Sequence, residues 1–152
     1  MIRHVFLSFS MGDEGLVNVF RGQAANRQSV LVFHDYSIKE AFESTWKTNA
    51  ERLIRACSVT ICLIGKTTYR SKAVDWEVRK SAELGKTVMA VSIEPTVPRV
   101  PPALTDLNVQ PLPWDMERIM GELNAIGTEY GRTRAFRRAR IWNVERGRSY
   151  GA

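Results

Sequence analysis

The chain of 152 residues has two cysteines and two histidines, too few for most metal or disulfide frameworks. Cys57 and Cys62 have four residues between them and fall in or beside one apolar run. Strand alternation therefore predicts opposite faces for them, which supports neither a disulfide nor a zinc site. His4 and His34 lie in or beside predicted strands, and no Cys, Asp or Glu forms a compact ligand set with either. Both read as packing or surface residues, and no metal is expected. No apolar stretch reaches about 18 residues, and the opening MIRHVFLSFSMGDE turns polar too early for a signal-peptide core. A soluble, cytoplasmic protein without a membrane partner is the expectation. No G-x-G-x-x-G follows the first predicted strand, so the dinucleotide fingerprint of a Rossmann unit is missing.

Two partial motifs also fail on chemistry. Gly65-Lys66-Thr67 imitates the end of a phosphate-binding loop, but the glycine required five positions earlier is Thr60, inside a strand. Asp13-Glu14 imitates the acidic pair of a response-regulator receiver. The end of the third strand, however, carries Gly65 and Lys66 where the phosphoacceptor aspartate belongs.

The formal charge of +6 is confined to one end. Residues 1–131 carry 15 Lys+Arg against 15 Asp+Glu, whereas 132–152 carry seven Arg against Glu145 alone. The body is neutral and the basicity belongs to the tail, so nucleic acid is not indicated as a partner. The reading is one domain over 1–131 followed by an Arg-rich tail over 132–152, a length that fits a single core. The stretch TEYGRTRAFRRARIW, which enters it from residue 128, could form a short amphipathic helix that packs on the body or on another subunit.

Alternation of apolar runs with helical periodicity organises the body. HVFLSF (4–9), SVLVFHD (29–35), VTICLI (59–64) and TVMAVSI (87–93) read as strands, with a short fifth near 108–111. Between them lie a helix around Leu16 to Gly22 and a second entered through the capping box Ser37-x-x-Glu40, running to about Ala56. A third is capped by Ser71 and closed by Gly85, and a last one covers 114–126. EPTVPRVPP reads as an extended loop because each proline fixes φ and removes a donor. The order β-α-β-α-β-α-β-loop-β-α predicts an α/β flavodoxin-like sandwich with a five-stranded parallel sheet in the order 2-1-3-4-5. Its crevice lies beyond the C-terminal ends of strands one and three, where Ser8 to Asp13, Asp35 to Lys39, and Gly65 to Glu77 converge.

Glu77 is the foremost candidate there. It sits about two turns into the third helix, beside Trp76, and a carboxylate so placed can hold ribose hydroxyls or stabilise an oxocarbenium-like centre. On chemistry alone it reads first as a solvated helix residue, and its position is what raises it.

HVFLSFSMGDE, VFHDYSIKEAFESTW and ACSVTICLIGKTTYRSKAVDWEVRKSAELGKTVMAVSI together resemble the TIR-like family of bacteria, including the Thoeris-type antiphage TIR proteins, over roughly residues 3–127. The S-x-x-x-D-W-E helix, Ser71 to Glu77, is the most diagnostic part. The resemblance implies an enzyme that takes NAD as substrate, needs no cofactor, releases nicotinamide, and forms ADP-ribose or a cyclic ADP-ribose-type signal that diffuses to an effector protein. It implies Glu77 as the catalytic residue, with Ser8, Phe9, Ser10, Asp35 and Ser37 lining the nucleotide site, and self-association of the chain; Trp76 either stacks on the substrate or packs in the core. Many such enzymes carry tryptophan where this chain has Ala73. Two alternatives stand beside it: a non-catalytic TIR-like interaction module, and an enzyme resembling nucleoside deoxyribosyltransferases.

Overall fold

The computed structural model describes residues 2–25, 30–35, 43–96 and 99–133. Its elements follow the chain as β1 (Ile2–Phe9), α1 (Glu14–Ala25), β2 (Val30–His34), α2 (Glu43–Arg55), β3 (Val59–Ile64), α3 (Lys72–Glu83), β4 (Thr87–Ser92), α4 (Pro102–Asp106) and α5 (Met116–Thr133). Short 3-10 turns at Met11–Asp13 and Thr68–Arg70 precede α1 and α3. The sheet is parallel throughout, in the order β2-β1-β3-β4. β1 and β3 are therefore central, as the crossover argument requires.

Alternation along the strands divides the core into two layers. Odd-numbered side chains such as Val5, Leu7, Phe9, Ile61, Leu63 and Val91 pack on Val17 and Phe20 of α1 and Ile119 and Leu123 of α5. Even-numbered ones face α2, α3 and α4: Phe6 packs with Trp46, Ala50 and Ile54, while Cys62, Ile64 and Ala90 pack with Val74, Val78 and Leu104. Every residue of β3 is buried, which explains its uninterrupted apolar run.

The local chemistry at the third helix is as expected. Ser71 caps α3 by accepting from the Val74 amide at 3.2 Å, and Gly85 closes it with φ +78°, a conformation open to glycine at no steric cost.

Four expectations need correction. The fifth strand near 108–111 is not formed; one parallel bridge, Val91 to Leu112, stands in its place. Asn108 turns the chain with φ 59°, and the Asp115 amide turns back onto the Pro113 carbonyl at 2.8 Å. Pro111 and Pro113 on either side of Leu112 hold φ near −65°, away from strand values. Second, the proline-rich loop ends in α4, because a proline at the first helical position is preorganised for a helix. Third, α1 continues past Gly22 to Ala25, since its buried stripe Val17, Phe20 and Ala24 outweighs the roughly 1 kcal/mol cost of an internal glycine. Fourth, Cys57 precedes β3, so strand alternation does not govern it. It packs with the α2 cluster, while Cys62 lies in the α3–α4 cluster on the same side of the sheet, and both are free thiols.

The capping box Ser37-x-x-Glu40 and residues 134–152 of the basic tail lie outside the described residues; α5 itself runs through residue 131 to Thr133. Among the described residues no helix is long and apolar enough to cross a membrane.

Candidate functional site

At the C-terminal edge of the sheet, the end of β1 and the segment leading into α3 enclose a cleft of about 340 Å³. Phe9, Ser10 and Met11 form one wall, and Thr67, Arg70, Ser71 and Ala73 the other. The Ser10 and Thr67 hydroxyls meet across it at 3.4 Å. The cleft exists because β1 ends at Phe9 and a 3-10 turn carries the chain aside, while the chain after β3 makes its own turn before α3 begins.

Glu77 lies one helical turn beyond cleft-lining Ala73 and therefore on the same stripe of α3. It is 0 % exposed, and Ser8 of β1, also 0 % exposed, donates to its Oε1 at 2.6 Å. That length belongs to the range of charge-assisted hydrogen bonds. The pair is an even-numbered strand residue meeting the inner face of α3. A second buried polar contact continues the seam: Ser81 donates to the Glu77 carbonyl at 2.8 Å, and Thr60 on β3 lies 2.7 Å from the Ser81 hydroxyl. Ser81 has one hydrogen and uses it on the carbonyl, so Thr60 is the donor in their contact.

The other expected site residues are spread more widely. Phe9 and Ser10 line the cleft and Ser8 lies just behind it. Trp76 packs in the seam between α2 and α3, edge-on to Trp46 with ring centroids 5.3 Å apart, and the ammonium groups of Lys47 and Lys80 lie 5.7 and 5.6 Å from its ring. It is not among the cleft-lining residues. Asp35, at the end of β2, is ion-paired with Arg21 of α1. Ser37 lies outside the described residues.

Sequence reasoning placed Thr67 and Arg70 only as part of the Gly65 to Glu77 segment, without a role for either, and missed a latch under the cleft's far wall. Thr68 accepts from the Gly65 amide at 2.8 Å and donates to Asp13 at 3.5 Å. A Cβ on Gly65 would come within 2.6 Å of the Asp13 carboxyl carbon, so any other residue there must push the end of the Asp13 side chain aside; the glycine serves this close approach rather than phosphate binding. Burial, followed by repulsion from Glu94, raises Asp13 above the usual carboxylate range, while the Thr68 hydroxyl pulls the other way. Thr67 and Gly65 were visible as the failed phosphate-loop motif; Arg70 had no signal beyond its charge. Cys57 is pushed up to about 11 by burial, which leaves little nucleophilic thiolate.

The family described as Thoeris protein ThsB, TIR-like domain, matches residues 6–97. The chain belongs to this family. The matched span runs from within β1 through β4, takes in the cleft and the Ser8–Glu77 pair, and ends before α4 and α5. Among solved structures, the crystal structure of the TIR domain of the Toll-related receptor TRR-2 from Hydra magnipapillata is similar. It is 14 % identical, with a TM-score of 0.49, covering 80 % of this chain and 89 % of that one. No curated protein matches. The ThsB-type TIR-like domain thus places a buried Ser–Glu pair directly behind an open, hydroxyl-lined cleft.

Proposed function

We propose that this ThsB-family domain is an NAD-consuming enzyme of antiphage defence, with the cleft as its nucleotide site and Glu77 as the catalytic carboxylate. The Ser8–Glu77 contact behind the cleft, at the C-terminal end of a central parallel strand, is the observation that carries the reading. A carboxylate kept out of water acts more strongly on developing positive charge than one in solvent.

In the reaction, the bond between ribose C1′ and the nicotinamide nitrogen breaks, and its electron pair leaves with nicotinamide, neutralising the pyridinium. Glu77 stabilises the oxocarbenium-like sugar. Water then adds at C1′ and loses a proton to give ADP-ribose, or a nucleophile within the same molecule adds to give a cyclic product that diffuses to an effector protein. Because the described residues cover Glu77 completely, a ribose hydroxyl reaches it by taking the place of the Ser8 hydroxyl. Phe9 and Ser10 position the nucleotide.

Complete burial of Glu77 also favours a second reading, a non-catalytic interaction module in which Ser8–Glu77 is a core polar pair. Incubation with NAD, followed by separation of nicotinamide and nucleotide products, decides between them. Turnover lost in Glu77→Gln supports the enzyme; full turnover in that variant rules Glu77 out. If concentrated protein exposed to phage components leaves NAD intact, the interaction module takes precedence.

A further inference from the structure

Of the described side chains lining the cleft, Arg70 is the one that carries a formal charge; the others are hydroxyls (Ser10, Thr67, Ser71) or apolar (Phe9, Met11, Ala73). The nearby carboxylates are engaged elsewhere. Asp75 pairs with Arg79 at 3.0 Å, Asp13 faces Thr68 and Gly65, and Glu77 holds Ser8. Arg70 enters none of the ion pairs among the described residues, and its side chain is exposed. Its backbone, by contrast, is fixed: the Arg70 amide bonds the Thr67 carbonyl at 3.2 Å, and Ser71 closes the turn onto the Thr68 carbonyl at 3.0 Å. Beside it, the Arg99 guanidinium stacks on the Tyr69 ring at 4.4 Å, which holds the middle of that turn in place.

A guanidinium without a carboxylate partner, set on a fixed turn at the wall of a cleft with three hydroxyls, matches the chemistry of phosphate oxygens. Arginine binds such oxygens through paired N–H donors, and hydroxyls add single ones. Ser71 accepts at its oxygen from Val74, so its hydrogen is available to a ligand. We infer that Arg70 is the residue that grips the diphosphate of the ligand, assisted by Ser10, Thr67 and Ser71. The diphosphate at the cleft mouth then directs one ribose inward, toward the Ser8–Glu77 pair. The identity of the ligand as a dinucleotide rests on the proposed function; the diphosphate contact does not.

Titration calorimetry with ADP-ribose, inorganic pyrophosphate and adenosine tests the assignment on the wild type, Arg70→Ala, Arg70→Lys and Lys72→Ala. The expected result is binding of both diphosphates by the wild type, weakened about tenfold or more in Arg70→Ala and less in Arg70→Lys, as for loss of a bidentate charge-assisted contact. Adenosine affinity stays unchanged, and Lys72→Ala, which removes an exposed cation outside the lining, behaves as wild type. In steady state, Arg70→Ala raises KM for NAD by a similar factor and leaves kcat within about twofold, the pattern of binding common to ground and transition states. No diphosphate binding by the wild type, unchanged affinity in Arg70→Ala, or an equal loss in Lys72→Ala overturns the assignment. NAD turnover with a KM indifferent to Arg70 sinks this inference alone. Arg70-dependent diphosphate binding without any NAD turnover supports it and sinks the enzyme reading instead.

Discussion

The two faces of the sheet differ in what they bury beside their apolar clusters. Toward α1 and α5 the described core is an apolar cluster, from Val5 and Phe20 through Ile61 to Leu123. Toward α2 and α3 the same strands present Ser8 and Thr60, and α3 answers with Glu77 and Ser81, all four fully buried. Buried polar groups are costly unless satisfied, and each of these four makes a hydrogen bond within the seam. On the proposed function, the first face holds the fold, while the second holds it and also carries the polar seam that serves the site.

The largest effect is expected from the apolar face. Phe20→Ala should cost about 3–5 kcal/mol in chemical denaturation while leaving turnover intact below the melting temperature. Next comes its mirror image. Glu77→Gln keeps an acceptor for Ser8 and so should melt close to wild type, yet lose about 100-fold or more in nicotinamide release. If Glu77→Gln instead unfolds the protein as severely as Phe20→Ala, the division of labour between the faces is wrong.

The polar seam itself allows a finer test. Ser81→Ala leaves the Thr60 hydroxyl buried without the acceptor it uses, at about 1–3 kcal/mol. Thr60→Val leaves Ser81 still bonded to the Glu77 carbonyl and should cost about 0.5–1.5 kcal/mol. Equal losses would mean that the donor assignment between them is reversed. Gly65→Ala should cost about 1–2 kcal/mol by displacing Asp13, most of it recovered when Asp13→Ala is added.

The smallest effect is a pH dependence. With its pKa raised in the fold, Asp13 holds its proton to a higher pH in the folded chain than in the unfolded one. Its contribution to stability is then fullest below 3.8 and declines as pH rises through the folded value. Asp13→Asn lacks that decline. Its melting temperature relative to wild type should rise between about pH 3 and pH 6; a constant difference would show that Asp13 titrates as an ordinary surface acid.

Much of the architecture was legible because it is written locally. Continuous apolar runs alternating with helical periodicity specify a parallel sheet, and the Ser71 cap and Gly85 stop are read from single residues. The site was legible only as a position. That Glu77 sits on α3 near the sheet edge follows from spacing. That it is closed against Ser8, 69 residues earlier, depends on the packing of α3 over β1. The same is true of Trp76, whose place against Trp46 is set by how α2 meets α3. Asp35 is tied up by Arg21, a contact between two elements that no local pattern announces. Pro102 was misread for another reason: an imino acid both breaks a helix from within and starts one from its first position.

The single rung at Leu112 sets how copies of this domain can meet. Its amide and carbonyl are both turned inward, to Ala90 and Ser92 at 2.8 and 2.9 Å. Backbone direction alternates along an extended segment, so the outward-facing positions are Pro111 and Pro113, which have no N–H to offer. That rim offers a foreign strand no N–H donor at either position, which interrupts a ladder there. Among the described residues, continuous β-augmentation between neighbouring molecules is left to β2, at the opposite border.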